Sequence, residues 1–255
     1  VLFYDGNTKM ARFRRNVRLV HGNTTLTTDS LNYNRAKDIA YYFSGGKIQD
    51  DLNTLTSLWG QYTPYDDQAM FRGEVKLVND KFTLTTDTLC YNTASYQADI
   101  VSPTEIIYEE ETTILSSHGW YNTQTERSML LDRSLIIHQD GMTLTGDTIY
   151  YDKKEGYGHI RGWMESTDST HHMTLYGHKG EMWEENNSGY ATDSAMLVEG
   201  SDSTKMTYLH ADTLFTNEIP YTTFQLVPGD SILVDSTWIQ PAPDTTWIDT
   251  SYVLV

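Results

Sequence analysis

The chain has 255 residues, 38% of them apolar, with 18 Tyr and 6 Trp; 18 Lys and Arg stand against 35 Asp and Glu, for a formal charge of −17. So acidic a chain repels phosphate backbones, which argues against nucleic acid as a partner. A single cysteine, Cys90, excludes an internal disulfide and any zinc site built from thiolates.

No run approaches the roughly 18 apolar residues of a membrane-spanning helix. Abundant Thr, Tyr, Val and Ile, with few Pro, point to strands. The first strand frame opens at Tyr4, in YDGNTKMARFRRNVRLV. The turn HGN at His21 leads to LTTDSLNYN from Leu26, then to the polar NRAKD and the strand IAYYFSGGKI. QDD at Gln49 leads to LTSLWGQYT from Leu55, TPYDD and QAMFRGEVKLV. VNDK at Val78 precedes LTTDTLCYN from Leu84, NTAS and QADIV; EEE at Glu109 precedes ILSSHGWYN from Ile114, NTQTE and RSMLL. QDG at Gln139 precedes LTGDTIYYD from Leu144, DKKEG and GYGHIRGW. LYGHKGEMW from Leu175, EGSDS at Glu199 and LHADTLFTN from Leu209 complete the series.

The anchors Leu26, Leu55, Leu84, Ile114, Leu144, Leu175 and Leu209 are spaced by 29 to 34 residues, so one unit of about 30 residues recurs. Units carrying Asp29, Asp87, Asp147 and Asp212 alternate with units carrying Gly60, Gly119 and Gly180. Each unit predicts two long antiparallel strands joined by short charged hairpins. Gly45-Gly46, Gly73, Pro103, Asp132 and Gly162 recur near mid-strand, where a breaker marks a bulge or bend. Rungs that all bend at one place fold a single meander into two facing layers around an apolar trough. The expected fold is therefore all-β, an elongated jellyroll or solenoid-like stack with no amphipathic helix.

The trough-lining candidates are Leu26, Leu31, Leu55, Leu84, Leu89, Ile114, Leu144, Ile149, Leu175 and Leu209, which are core-formers first and a ligand-accessible lining second. One Asp per ~60 residues cannot converge on calcium, so the repeated Asp is expected to bond backbone at a turn or bulge. Gly60, Gly119 and Gly180 are expected at backbone bends. His171, His172 and His178, near Asp168 and Glu181, match no common zinc spacing, and His171-His172 reads as a solvated turn. Cys90, within a strand pattern, reads as a small buried apolar residue. No nucleophile elbow, zincin, P-loop or dinucleotide motif appears, so no catalytic residue, metal or cofactor is assigned.

LTTDSLNY, LTTDTLCY and LTGDTIYY, each with its polar turn and Ala- or Gly-containing strand, resemble the OstA-like family. These are periplasmic lipopolysaccharide-transport proteins of the LptA type, related to the N-terminal domain of LptD. The resemblance covers about residues 1–216. It implies an open β-jellyroll that shields lipid A acyl chains while lipopolysaccharide crosses the periplasm. Implied partners are lipopolysaccharide, other jellyroll domains joined by edge-strand addition, and copies of the chain itself stacked end to end. The implied location is the periplasm or cell envelope; the chain begins at Val1 in mid-pattern and is expected to be trimmed of any export signal. Residues 217–255, rich in Pro, Thr and Asp, leave the repeat and are expected to form an insertion or the start of a further strand unit. A rival reading is a secreted or surface repeat protein whose Trp59, Trp120, Trp163 and Trp183 stack on glycans or bind proteins. A carbohydrate-active enzyme using a carboxylate pair is the third.

Overall fold

The computed structural model describes residues 1–186, 188–202, 205–216, 232–234 and 237–239. Nineteen strands form one antiparallel sheet. In chain order they are β1 (Leu2–Asp5), β2 (Met10–His21), β3 (Thr24–Asn34), β4 (Ile39–Tyr42), β5 (Gly46–Gln49), β6 (Thr54–Ser57) and β7 (Trp59–Thr63). Next come β8 (Gln68–Val78), β9 (Phe82–Asn92), β10 (Gln97–Ile100), β11 (Thr104–Tyr108), β12 (Thr112–Ser116) and β13 (His118–Asn122). The last six are β14 (Arg127–His138), β15 (Met142–Asp152), β16 (Tyr157–Asp168), β17 (Met173–Trp183), β18 (Ser188–Asp202) and β19 (Lys205–Thr216). A separate short pair joins Ile232–Val234 to Thr237–Ile239; the rest of the expectation for 217–255 lies outside the described residues.

β4 and β5 both pair with β3, β6 and β7 with β8, β10 and β11 with β9, and β12 and β13 with β14. Each of these couples is therefore one rung broken in the middle. The unbroken rungs carry a register jump at the same level. Two consecutive left-handed residues fill it at Arg15-Asn16, Gly73-Glu74, Asp132-Arg133, Gly162-Trp163 and Asp193-Ser194, with φ between 41° and 73°. Left-handed backbone in residues other than Gly is uncommon, and here it recurs every second rung, or every fourth where a broken rung takes its place. The mid-strand breakers read from the sequence, Gly45-Gly46, Gly73, Pro103, Asp132 and Gly162, all lie on this line of bends.

Turns are built to one plan. A carboxylate or amide oxygen at the end of a strand accepts two following backbone N–H groups, as at Asp5, Asn34, Asp50, Asn79, Asn92, Asn122, Asp152 and Asp168. Such side chains offer the backbone a ready turn. Adjacent hairpins are then tied to one another, for example Thr123 N–H to the Tyr96 carbonyl (2.9 Å) and Gln139 N–H to the Glu111 carbonyl (2.8 Å).

Candidate functional site

The bend splits every full rung into two halves, and the halves form two walls that pack on each other. Three inward rows cross the stack by strand register. The first runs Leu19, Leu26, Ile48, Leu55, Leu77, Leu84, Ile106, Ile114, Ile136, Leu144, Ser166, Leu175, Leu197, Leu209, aliphatic except at Ser166. The second, on the other wall, runs Phe13, Leu31, Tyr42, Gly60, Phe71, Leu89, Ile100, Gly119, Leu130, Ile149, Ile160, Gly180, Ala191, Leu214. Nearer that wall's rim, tyrosines alternate with small residues: Tyr33, Ala40, Tyr62, Ala69, Tyr91, Ala98, Tyr121, Ser128, Tyr151, Gly158.

All ten residues expected to line a trough stand on these rows: Leu26, Leu55, Leu84, Ile114, Leu144, Leu175 and Leu209 on the first, and Leu31, Leu89 and Ile149 on the second. The rows differ in cover. On the second, Leu31, Tyr42, Phe71, Leu89, Ile100, Leu130, Ile149, Ile160 and Ala191 are buried. On the first, only Leu55 and Leu84 are; Leu26, Ile48, Leu77, Ile106, Ile114, Ile136, Leu144, Leu175 and Leu197 are half-buried, and Leu209, on the last strand, is 52% exposed. The two walls share two apolar clusters, one around Tyr42, Phe71, Val75 and Leu89, the other around Leu130, Ile149, Ile160 and Met164.

The glycines correct one expectation. Gly60 and Gly180 are not in the bends themselves but two residues past Leu58 and His178, on the second row, where a Cβ would enter the ring of Tyr42 or the sulfur of Met164. Gly119 likewise sits under the carbonyl of Met129. Their missing side chains admit large neighbours. Of the repeated acids, Asp29 accepts the N–H of left-handed Asn16 (2.9 Å), as expected of a bulge ligand. Asp147 instead faces Arg133 at 3.7 Å, and Asp87 accepts from the Thr88 hydroxyl. Cys90 lies between buried Leu89 and core-packed Tyr91 and so faces outward, half-buried, with burial pushing its thiol up.

Sequence reasoning missed a line of hydroxyls along the bend. Thr28, Ser57, Thr86, Thr104, Ser116 and Ser134 are buried and bond the carbonyls that the breaks release. Thr28 Oγ1 donates to Gly45 O (2.6 Å), Ser57 Oγ to Trp59 O (3.0 Å), Ser116 Oγ to His118 O (2.9 Å) and Ser134 Oγ to Leu131 O (2.9 Å). The signal was present: the position two after each anchor is Thr28, Ser57, Thr86, Ser116, Gly146, Gly177 or Ala211, always small. A cleft of about 530 Å³ opens on this line between Thr86, Pro103, Thr104, Ser116, Asp132, Arg133 and Ser134.

His171 bonds Asp168 at 2.7 Å in its hairpin, while His178 bonds the Asp193 carbonyl at the bend, so the histidines do not converge. Among the described residues no group of three His, Cys, Asp or Glu is placed to hold a metal ion. Trp59, Trp120 and Trp183 stand in three different outward rows, and Trp163 occupies a bulge against His178. Trp183 belongs to an aromatic strip on the last strands, between Tyr157 (5.8 Å) and Tyr190 (5.9 Å).

Among the described residues, the free rims of the two walls meet at one place. Lys153, in the hairpin after β15, lies with Nζ 4.3 Å from the ring centroid of Tyr108, the last residue of β11. On the same side Tyr151 donates to Glu184 (2.6 Å), and burial followed by that bond pushes the phenol up.

A meander of bent rungs with apolar rows between two walls is a β-jellyroll. Two overlapping stretches, residues 1–87 and 74–138, match the model of the OstA-like protein family. Together they span more than half the chain, and the protein belongs to that family. Among solved structures it is similar to LptH, the LptA-homologous periplasmic component of the conserved lipopolysaccharide transport device of Pseudomonas aeruginosa. That match has 20% identity and a TM-score of 0.32, and covers 46% of this chain and 78% of that one. No curated protein matches the chain.

Proposed function

We propose that this chain is a lipopolysaccharide-carrying bridge of the periplasm or cell envelope, shielding acyl chains in its trough and joining other jellyroll modules by its sheet edges. The carrying observation is the first row. Fourteen register-matched positions, thirteen of them aliphatic, extend over roughly 60 Å at strand spacing, and the protein covers most of them only in part. Half-covered leucines gain from a further apolar layer. At roughly 0.8 kcal/mol per buried CH₂, a 14-carbon chain offers about 10 kcal/mol. The charge of −17 does not oppose this, because exposed charges beyond about 8 Å are largely screened at physiological salt. Membership of the OstA-like family supports the same reading.

The two ends of the sheet support the partner side. β1 covers only Met10–Phe13 of β2, leaving the Val17–His21 edge without a paired strand among the described residues; Leu2, Phe3, Tyr4, Leu19 and Val20 are exposed there. At the other end β19 exposes Met206, Tyr208, Leu209 and Phe215. Apolar, unpaired edges are templates for strand addition. The glycan-binding rival draws on the outward tryptophans, but no two of them share a row.

A photo-crosslinking residue at inward Ile114 is expected to capture lipopolysaccharide, whereas one at outward Leu115 should not. Equal capture from the two faces, or none from Ile114, sinks the reading.

A further inference from the structure

The Lys153–Tyr108 contact differs from the other polar contacts among the described residues, because it joins the rim of one wall to the rim of the other. The Tyr108 hydroxyl is buried and has no hydrogen-bond partner among the described residues. A buried hydroxyl without a partner loses free energy relative to a bonded one. Lys81 is in the adjoining hairpin of the same rim as Tyr108. Its carbonyl accepts the Glu109 N–H at 2.7 Å, and the next residue, Phe82, pairs with Tyr108 in register. Burial and then the Lys81 ammonium hold Lys153 below the usual lysine range, and Glu184, which opposes this more weakly, is bonded to Tyr151. Glu109 and Glu110 are exposed at the turn.

We propose that Lys153, Lys81 and Tyr108 form a phosphate site at the mouth of the trough, taking the phosphate monoester of an acylated amphiphile whose chains lie along the first row. The inference rests on the lipid-carrying reading above. Two ammonium groups and a phenol O–H supply donors of the kind that phosphate oxygens accept, and charge-assisted bonds of this sort are the strong ones. With no anion bound, Lys153 rests on the Tyr108 ring, a cation–π contact that keeps the rims together. An arriving phosphate draws Lys153 off the ring, uncovers the hydroxyl and parts the walls where the acyl chains must enter.

The test compares lysophosphatidic acid, a monoacylglycerol of the same chain length, and inorganic phosphate on the full chain. The expected result is that both lipids bind and the phosphorylated one binds about tenfold more tightly. Lys81→Ala with Lys153→Ala should remove that preference, so that the two lipids bind alike. Lys153→Arg alone should keep the preference, and Tyr108→Phe, which keeps the ring, should narrow it. If neither lipid binds, the trough reading fails and takes the site with it. If both bind equally, or the double variant keeps the preference, the trough stands and the phosphate site is overturned. Inorganic phosphate competing as well as lysophosphatidic acid overturns the assignment to an amphiphile.

Discussion

Asp152 shows how much one side chain carries in a stacked hairpin. Its Oδ2 accepts from Arg127 Nε at 2.7 Å, and its Oδ1 accepts the N–H groups of Lys154 and Glu155, so both oxygens of a buried carboxylate are occupied. The Arg127 hydrogen bond, with help from those backbone groups, holds the acid below the ordinary carboxylate range. The folded state therefore binds fewer protons than the unfolded one. The stabilisation is complete above the ordinary carboxylate pKa of about 4 and is lost as pH falls through the depressed value. Thermal melts should show Asp152→Asn less stable than the parent at neutral pH and less sensitive to acid. A larger acid loss in the variant would contradict the assignment. Gly60 and Gly180 carry a second prediction at this scale. Gly60→Val must displace the buried Tyr42 ring and is expected to cost about 1–3 kcal/mol or more in a denaturant titration. Their role was illegible in the sequence, because a glycine that makes room for a neighbour's side chain and one that relieves backbone look the same until the register is known.

At the scale of the strand, the recurring device is the interrupted rung. Bends at Gly45-Gly46, Gly73, Pro103 and Gly162 were readable, since Gly and Pro announce broken pairing, and the bend at Asp132 was readable from its equivalent place in the repeat. The equivalent bends at Arg15-Asn16 and Asp193-Ser194 were not, because left-handed Arg, Asn, Asp and Ser carry no comparable mark. The hydroxyls beneath the bends explain how the breaks are tolerated: carbonyls that lose a ladder partner are bonded by Ser or Thr from the same or the neighbouring rung. Ser134→Ala removes the bonds to Ser116 Oγ (2.8 Å) and to Leu131 O (2.9 Å) in a buried setting. It is expected to lower stability by about 1–3 kcal/mol. An unchanged melting temperature would mean that water replaces the hydroxyl there.

At the scale of the whole molecule, the 30-residue period gave the number, direction and bend of the rungs, and its seven anchors proved to be a single row of facing side chains. What the period could not give was which of the two interior rows is covered, since Leu26 and Leu31 are equally apolar and five residues apart. Cover depends on how the walls close, and that is set by pairs distant in sequence, such as Tyr108 and Lys153. Association belongs to this scale too. Leu19→Lys with Val20→Lys puts two charges on the open edge of β2, where neither residue is buried. Under the proposed edge-to-edge joining, sedimentation is expected to show end-to-end oligomers for the parent and monomer for this variant, with the melting temperature held. Oligomers that persist would place the joint elsewhere.

The hairpin-to-hairpin bonds have a consequence for how such a protein changes over generations. Each unit is tied chiefly to the units on either side of it, so duplicating or deleting one leaves the others' partners in place. Because a unit contributes two rungs at about 4.8 Å each, reach across a gap would change in increments of about 10 Å. The sheet would then act as a ruler whose graduations are written in copy number.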